Sequence, residues 1–235
     1  IGLRCGKALH HKFHNPELAG SGKDSTNDFL LSAGLEFEYT ARNIIAPNGI
    51  DITTGLNHLD FKNYVDATKR EMKNKKVTLY QATFQSKTGE RIMADIVRKN
   101  GNKIDLMEVK AVTKLQDYHY FDVAFQYHCM VASGYNVNKV FIVHVNKEYV
   151  RNGEINSELV IQHDVTQKVK QIQSLIPDRV KYFKEIIADE ECPTATIGFH
   201  CTDPYPCAFR DSCWSKILPK NNVFDIKGLR TKEKM

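Results

Sequence analysis

The 235-residue chain is 42% apolar and 26% charged, an ordinary soluble composition with room for one large domain or two small ones. No run approaches the roughly 18 apolar residues of a membrane helix, so no membrane partner is expected. Net charge is +5, but six Lys/Arg face two acids between Ser215 and Met235, which leaves the body near neutral. Charge alone therefore gives little support for nucleic-acid binding, and the plain reading of the basic tail is a solvated one.

Six cysteines in a chain of this length do not make a disulfide scaffold. The opening "IGLRCGKALHHKF" lacks the apolar core of a secretion signal, so a reducing, cytoplasmic setting is expected. There, metal or cluster binding outranks disulfide bonding.

In chain order, "LRCGKALHHKFH" (3–14) reads as a short helix ending at Asn15-Pro16, and Ser25 or Thr26 can cap the next one. That helix, over about 26–46, carries Leu30, Ala33, Phe37, Ala41 and Ile44 as an apolar stripe and stops at "APNGID". A second amphipathic helix over about 58–74 offers Leu59, Tyr64, Val65 and Met72. Strands are expected at 77–84, 91–99 and 103–112, with the hairpin signal Asn100-Gly101 between the last two. A helix over 120–134 ends at Gly134, strands follow at 138–145 and 158–165, and a long polar helix runs to about 189. The tail from 192 reads as irregular. This order predicts an α/β fold with a mixed central sheet flanked by helices.

Glu108 and Lys110 share one face of the 103–112 strand, after Ile104 and Leu106 and opposite Met107 and Val109. Two charges closing an apolar strand need compensation. A strand-end salt bridge is the plain reading. Asp95 on the neighbouring strand suggests another: paired carboxylates for a hard cation such as Mg²⁺, with Lys110 placed to orient a water or stabilise an anion.

An aspartate followed one strand later by Glu-x-Lys, as in "ADIVRKNGNKIDLMEVKAVT", resembles the PD-(D/E)xK nuclease superfamily and its RecB-like branch. The resemblance implies a restriction-endonuclease-like core. It also implies Asp95, Glu108 and the Val109 carbonyl as ligands of Mg²⁺ or Mn²⁺, and Lys110 as the residue orienting the attacking water. An acid on an upstream helix completes such sites. Glu38 fits that role, with Glu36 as the fallback, against the plain reading of two solvated helix acids. The later helix of the family carries Gln in Q-x-x-x-Y. Here "FDVAFQYHCM" supplies Gln126, with Asp122 one turn before it, but Met130 replaces the tyrosine and Tyr127 is adjacent to the glutamine. A partly buried, locally satisfied glutamine is the alternative reading.

Cys201, Cys207 and Cys213 recur at equal gaps in "GFHCTDPYPCAFRDSCW". With Cys5 ahead of the core, the order resembles nucleases with an iron–sulfur cluster: the CRISPR-associated family-4 exonucleases, the AddB nuclease domain and an uncharacterised bacterial family with the same cysteine triple. The match runs over about residues 3–214 and implies a 4Fe-4S cluster on Cys5, Cys201, Cys207 and Cys213. One nuclease domain is then expected over 1–235. Residues 3–14 and 192–214 would form its cluster region, and 215–235 a basic tail. Members are often fused to further domains, so helicase, nuclease or CRISPR-type partners fit a chain that starts at Ile1. Zinc is the rival metal, with His200 beside Cys201 as an added ligand. Cys129 reads as a core residue and Cys192 stays unassigned.

The expected activity is a metal-dependent DNA nuclease, exonucleolytic on single strands or ends. The alternatives are a non-catalytic nucleic-acid-binding module and a zinc-stabilised structural domain. The oligomeric state is not legible.

Overall fold

A strand that is apolar on both sides, as 104–109 is around Glu108, has to be covered on both sides. In the computed structural model it lies inside a six-stranded mixed sheet with helices packed on it. The structure describes residues 1–20, 25–57, 60–203, 205–217, 221–223 and 226. In chain order the elements are α1 (Gly6–His14), α2 (Ser25–Ile45), β1 (Ile50–Asp51), α3 (Phe61–Glu71), β2 (Lys76–Gln85), β3 (Arg91–Asn100) and β4 (Lys103–Lys110). There follow α4 (Asp117–Ala132), β5 (Val137–Val145), β6 (Val160–Asp164), α5 (Thr166–Ile172), α6 (Ile176–Ala188) and α7 (Arg210–Ile217). The chain divides into two compact units, one of residues 29–176 and one of residues 1–28 with 177–235.

The first unit holds the sheet, in the order β1-β2-β3-β4-β5-β6. β1 runs parallel to β2 and β4 parallel to β5, and the other pairs are antiparallel. On one face Met107 and Val109 join Ala41, Ala46, Tyr80, Ile96 and Val143 in a buried cluster, so α2 covers that side. On the other, α4 buries Val123, Ala124, Cys129 and Met130. Cys129 is thus a core residue, as expected, with its Sγ 3.3 Å from the Glu90 carbonyl oxygen.

Element type followed the sequence pattern closely, while ends and breaks moved for local reasons. Asp60 caps α3 by accepting the Asn63 N–H, so the helix starts later than its apolar pattern suggested. Gln116 and His119 form a reciprocal capping box that starts α4 earlier. The apolar stripe of α2 meets the sheet only from Phe37 onward, and Leu30 is 60% exposed. The expected long helix to 189 is broken. Pro177 has no N–H for the Gln173 carbonyl, and residues Gln173–Leu175 tighten into a 3-10 turn between α5 and α6. The tail is not wholly irregular, since Phe199–Cys201 form a 3-10 turn and α7 follows. Leu59, the side chains of Ser25 and Thr26, and the basic residues at 220, 227, 230, 232 and 234 lie outside the described residues.

The second unit joins the two ends of the chain. Ring nitrogens of His10 and His14 on α1 donate to the carbonyls of Asp189 (3.1 Å) and Ile187 (2.8 Å) at the end of α6. Arg4 donates to the Tyr205 carbonyl at 2.7 Å and lies over that residue's ring. The Gly20 N–H reaches the Ala208 carbonyl at 2.8 Å. Among the described residues no helix is long and apolar enough to cross a membrane.

The β3–β4 turn sits one residue later than the Asn100-Gly101 signal placed it. Asn100 still pairs with Lys103, and Gly101 takes a φ of +61°. A Cβ at Gly101 would meet nothing within 4 Å, so only backbone strain opposes a side chain there. Gly101→Ala is expected to lower the unfolding free energy by about 1 kcal/mol. A shift of the urea midpoint at unchanged slope measures this.

Candidate active site and cysteine group

The sheet opens at the point where the expected site residues lie. The β3–β4 ladder ends at Ile96↔Met107, whereas β3 stays paired to β2 and β4 stays paired to β5 as far as Lys110↔His144. Beyond that point the Val109 N–H has no acceptor on the β3 backbone. It donates instead to Asp95 Oδ2 at 2.7 Å. Asp95 therefore closes the fork through its side chain and is fixed against β4.

Glu108 is buried, and both its oxygens are engaged. Lys110 Nζ donates to Oε1 at 2.6 Å and Gln126 Nε2 donates to Oε2 at 2.6 Å. Strand alternation turns Glu108 and Lys110 toward α4. That helix presents Asp122 and Gln126 one turn apart, and Lys110 Nζ also donates to Asp122 Oδ2 at 2.6 Å. Gln126 Oε1 is buried without a hydrogen-bond partner among the described residues. An orphan acceptor beside a buried carboxylate suits a water or a hydrated cation.

Glu38, not Glu36, belongs to this neighbourhood. Glu36 is exposed. Glu38 accepts from Gln81 of β2 and from Arg42 one turn along α2, and Arg42 also donates to Asp51 at 3.1 Å. The β2–β3 ladder pairs Tyr80 with Ile96 and Ala82 with Ala94 and skips Gln81 and Asp95 between them, and Gln81 has a φ of +51°. The left-handed backbone is costly for a non-glycine residue and marks a local distortion of the strand at this place.

Charge is concentrated here and not fully balanced. Desolvation, then Glu108 and Glu38, push the Asp95 carboxyl well above the usual carboxylate range, against the Val109 N–H and Lys110. Burial raises Glu108 too, with Lys110 opposing it. For Lys110, burial works against the charge, but Glu108 and Asp122 outweigh it and the ammonium is held protonated. His119 lies near enough that, after burial, Lys110 is the main influence lowering its pKa, and His144 pairs with Lys110 across β5.

The structure thus brings Glu38, Asp95, Glu108, Val109, Lys110 and Gln126 into one region of the sheet unit. Oxygens of Glu38, Asp95 and Glu108 do not all lie within 4.8 Å of one another. For Val109 the described contact is through its N–H. Sequence reasoning gave no role to Gln81, Arg42, Asp122, His119 or His144. Asp122 carried a signal, its one-turn spacing from Gln126. Gln81 carried none, because its backbone distortion is not written in residue type.

In the other unit, Cys5, Cys201, Cys207 and Cys213 are free thiols. Burial raises the Cys213 pKa and Lys7 lowers it, after which Cys207, Cys5 and Cys201 each raise it. The Cys207 N–H donates to the Cys201 carbonyl at 2.9 Å, which curls the loop that carries two of the four. His200 Nε2 is 3.6 Å from Cys201 Sγ. The donor set is soft, the chemistry that an iron–sulfur cluster or zinc takes, but no three of these sulfurs lie within 4.8 Å of one another.

Set against protein-family models and against curated proteins, the chain gives no match.

An acid with a raised folded pKa weakens the fold once it must ionise. The penalty is absent below the ordinary aspartate value of about 4, grows as pH rises toward the folded value, and is constant above it. Asp95→Asn keeps an acceptor for the Val109 N–H and removes the charge. With divalent cations chelated, the variant is expected to be more stable than wild type at neutral pH by about 1 kcal/mol or more, and equally stable near pH 4. Urea unfolding at the two pH values measures the difference.

Proposed function

We propose that the chain is a metal-dependent nuclease that hydrolyses DNA phosphodiester bonds, exonucleolytically on single strands or at ends. The observation that carries the reading is the fork between β3 and β4, where Asp95, Glu108 and Lys110 gather around strands that have stopped pairing. Asp95 and Glu108, with the Val109 carbonyl, would hold Mg²⁺ or Mn²⁺. Their raised carboxyl pKa values and the orphan Gln126 oxygen fit a hard cation with bound water. Such a cation polarises the phosphodiester and lowers the pKa of a coordinated water.

The chain's own groups supply positioning and charge. Lys110 stays an ammonium against Glu108 and Asp122, so it can orient a water or meet the charge that develops on the phosphoryl oxygens. Gln126 fixes one Glu108 oxygen and so sets the direction of the other. Glu38, held by Arg42 and Gln81, adds negative charge on the α2 side, and would have to move closer to the other two carboxylates to complete a metal shell. The resemblance to RecB-like nucleases supplies the substrate class. In the same reading Cys5, Cys201, Cys207 and Cys213 hold a 4Fe-4S cluster that fastens the chain ends, and its binding energy would be folding energy. Helicase, nuclease or CRISPR-type partners remain part of this reading.

A second reading, a non-catalytic nucleic-acid-binding module, rests on Lys110 being satisfied by two carboxylates. In that case the polar group serves structure alone. Labelled single-stranded and duplex DNA incubated with Mn²⁺ separates the two. Cleavage by wild type that falls at least about 100-fold in Asp95→Ala and Lys110→Ala is expected. Binding without cleavage favours the module, and equal cleavage by all three proteins identifies a contaminant. For the cysteine group, anaerobically purified protein is expected to be brown with about four irons per chain and to lose them in Cys207→Ser. Colourless, iron-free wild-type protein would remove the cluster from the proposal.

A further inference from the structure

Three metal-ligating side chains outside both sites converge in the unit built from the chain ends. Ligand atoms of His10, His11 and Cys192 all lie within 4.8 Å of one another. His10 and His11 are buried on α1, and Cys192 is exposed just after α6. We propose that His10, His11 and Cys192 form a zinc site that uses none of the four cysteines and stands whether or not they hold a cluster. Cys5 is close enough to Cys192 for the two thiols to act on each other electrostatically.

The hydrogen bonds around the two imidazoles leave the correct atoms for a metal. His10 Nε2 must donate to the Asp189 carbonyl, 3.1 Å away, because a carbonyl oxygen only accepts. That fixes the tautomer and leaves a lone pair on Nδ1. His10 is 2% exposed, and its Nδ1 is buried with no hydrogen-bond partner among the described residues. A buried ring nitrogen with nothing to bond is costly, and a metal ion would satisfy it.

His11 repeats the arrangement with the ring nitrogens exchanged. Its Nδ1 faces Asn15 Oδ1 at 3.4 Å, where it can only donate, so Nε2 carries the lone pair. Nε2 points to Cys192 Sγ at 3.8 Å. Zinc bonds of about 2.0 Å to nitrogen and 2.3 Å to sulfur at a tetrahedral angle put those atoms about 3.5 Å apart. A contraction of a few tenths of an ångström would bring this pair to zinc-bonding separation, with the His10 ligand atom within 4.8 Å of both. Both histidines thus have their second nitrogen on an oxygen acceptor, the usual outer support of a zinc-bound imidazole. Two imidazoles and a thiolate suit a borderline-soft divalent ion better than Mg²⁺ or Ca²⁺. With Cys192 at the surface, the fourth position would fall to water. Bound there, zinc would pin α1 to the chain leaving α6.

The plain alternative is a thiol donating weakly to His11. Zinc titration of the full chain, with metal content read by mass spectrometry, decides between them. Wild type, Cys192→Ser, His11→Gln, Asn15→Ala and Cys207→Ser are compared. One zinc per chain is expected in Cys207→Ser, and in wild type one where the four cysteines carry a cluster or up to two where they do not. Affinity should fall at least about tenfold in Cys192→Ser and His11→Gln, and about tenfold in Asn15→Ala, which touches the site only through His11. Cys192→Ser alters an exposed residue, and its circular dichroism should match wild type. Cobalt substitution adds a second readout: a thiolate-to-metal absorption band present in Cys207→Ser and absent in Cys192→Ser. Zinc lost in Cys207→Ser but kept in Cys192→Ser would put the ion on the four-cysteine group and overturn the proposal. Wild-type protein that binds no zinc would overturn it as well.

Discussion

Where β3 parts from β4, the Val109 N–H needs an acceptor, and the Asp95 carboxylate supplies it. The other features of the sheet unit's polar region depend on that substitution of side chain for ladder. A buried backbone donor left unpaired costs on the order of 1–3 kcal/mol, so the strands can separate only if something takes the bond. Because an aspartate takes it, the gap opens with a charge at its apex. Glu108 next to it then needs Lys110 and Gln126, and Lys110 in turn draws in Asp122. Polar groups on β3, β4 and α4 are thus linked through hydrogen bonds and ion pairs beside the amide that Asp95 takes.

Much of the sheet could be read from residue order, because alternation and helical spacing are properties of the chain itself. Ile104, Leu106, Met107 and Val109 announced a strand covered on both faces, and Glu108 with Lys110 announced a charged interruption in it. Glu38 could be preferred to Glu36 from its place beside Phe37 and Ala41. What the sequence withheld came from tertiary geometry. Gln81 takes a left-handed backbone inside a strand, and glutamine gives no local warning of it. The two-residue strand β1 is set by its parallel register with β2 rather than by propensity. Gly49 was legible as part of a turn but not as the residue that lets Tyr80 approach, donating its N–H to the Tyr80 hydroxyl at 3.0 Å. A Cβ there would lie 2.4 Å from the tyrosine ring.

In the unit formed by the chain ends the cysteines were conspicuous and the histidines were not. "HHKFH" reads as a polar stretch of a short helix. In the structure His10 and His14 stack with ring centroids 4.1 Å apart, and each reaches a carbonyl near the end of α6. Helical spacing could put them on one face, but only the fold could provide the carbonyls. Cys192 carried least meaning in the sequence, since its nearest ligand neighbour is almost the length of the chain away.

That separation has a consequence for biosynthesis. α1 leaves the ribosome well before the groups that pair with His10 and His14, and before three of the four cysteines, which follow it by roughly 175–205 residues. At about 5–20 residues per second, roughly 200 residues take about 10–40 s to follow. For that interval the whole sheet unit can form while the opening helix waits with its imidazoles and Cys5 unpartnered. A nascent chain stalled before Pro177 would therefore expose that helix to solvent, oxidants and chaperones.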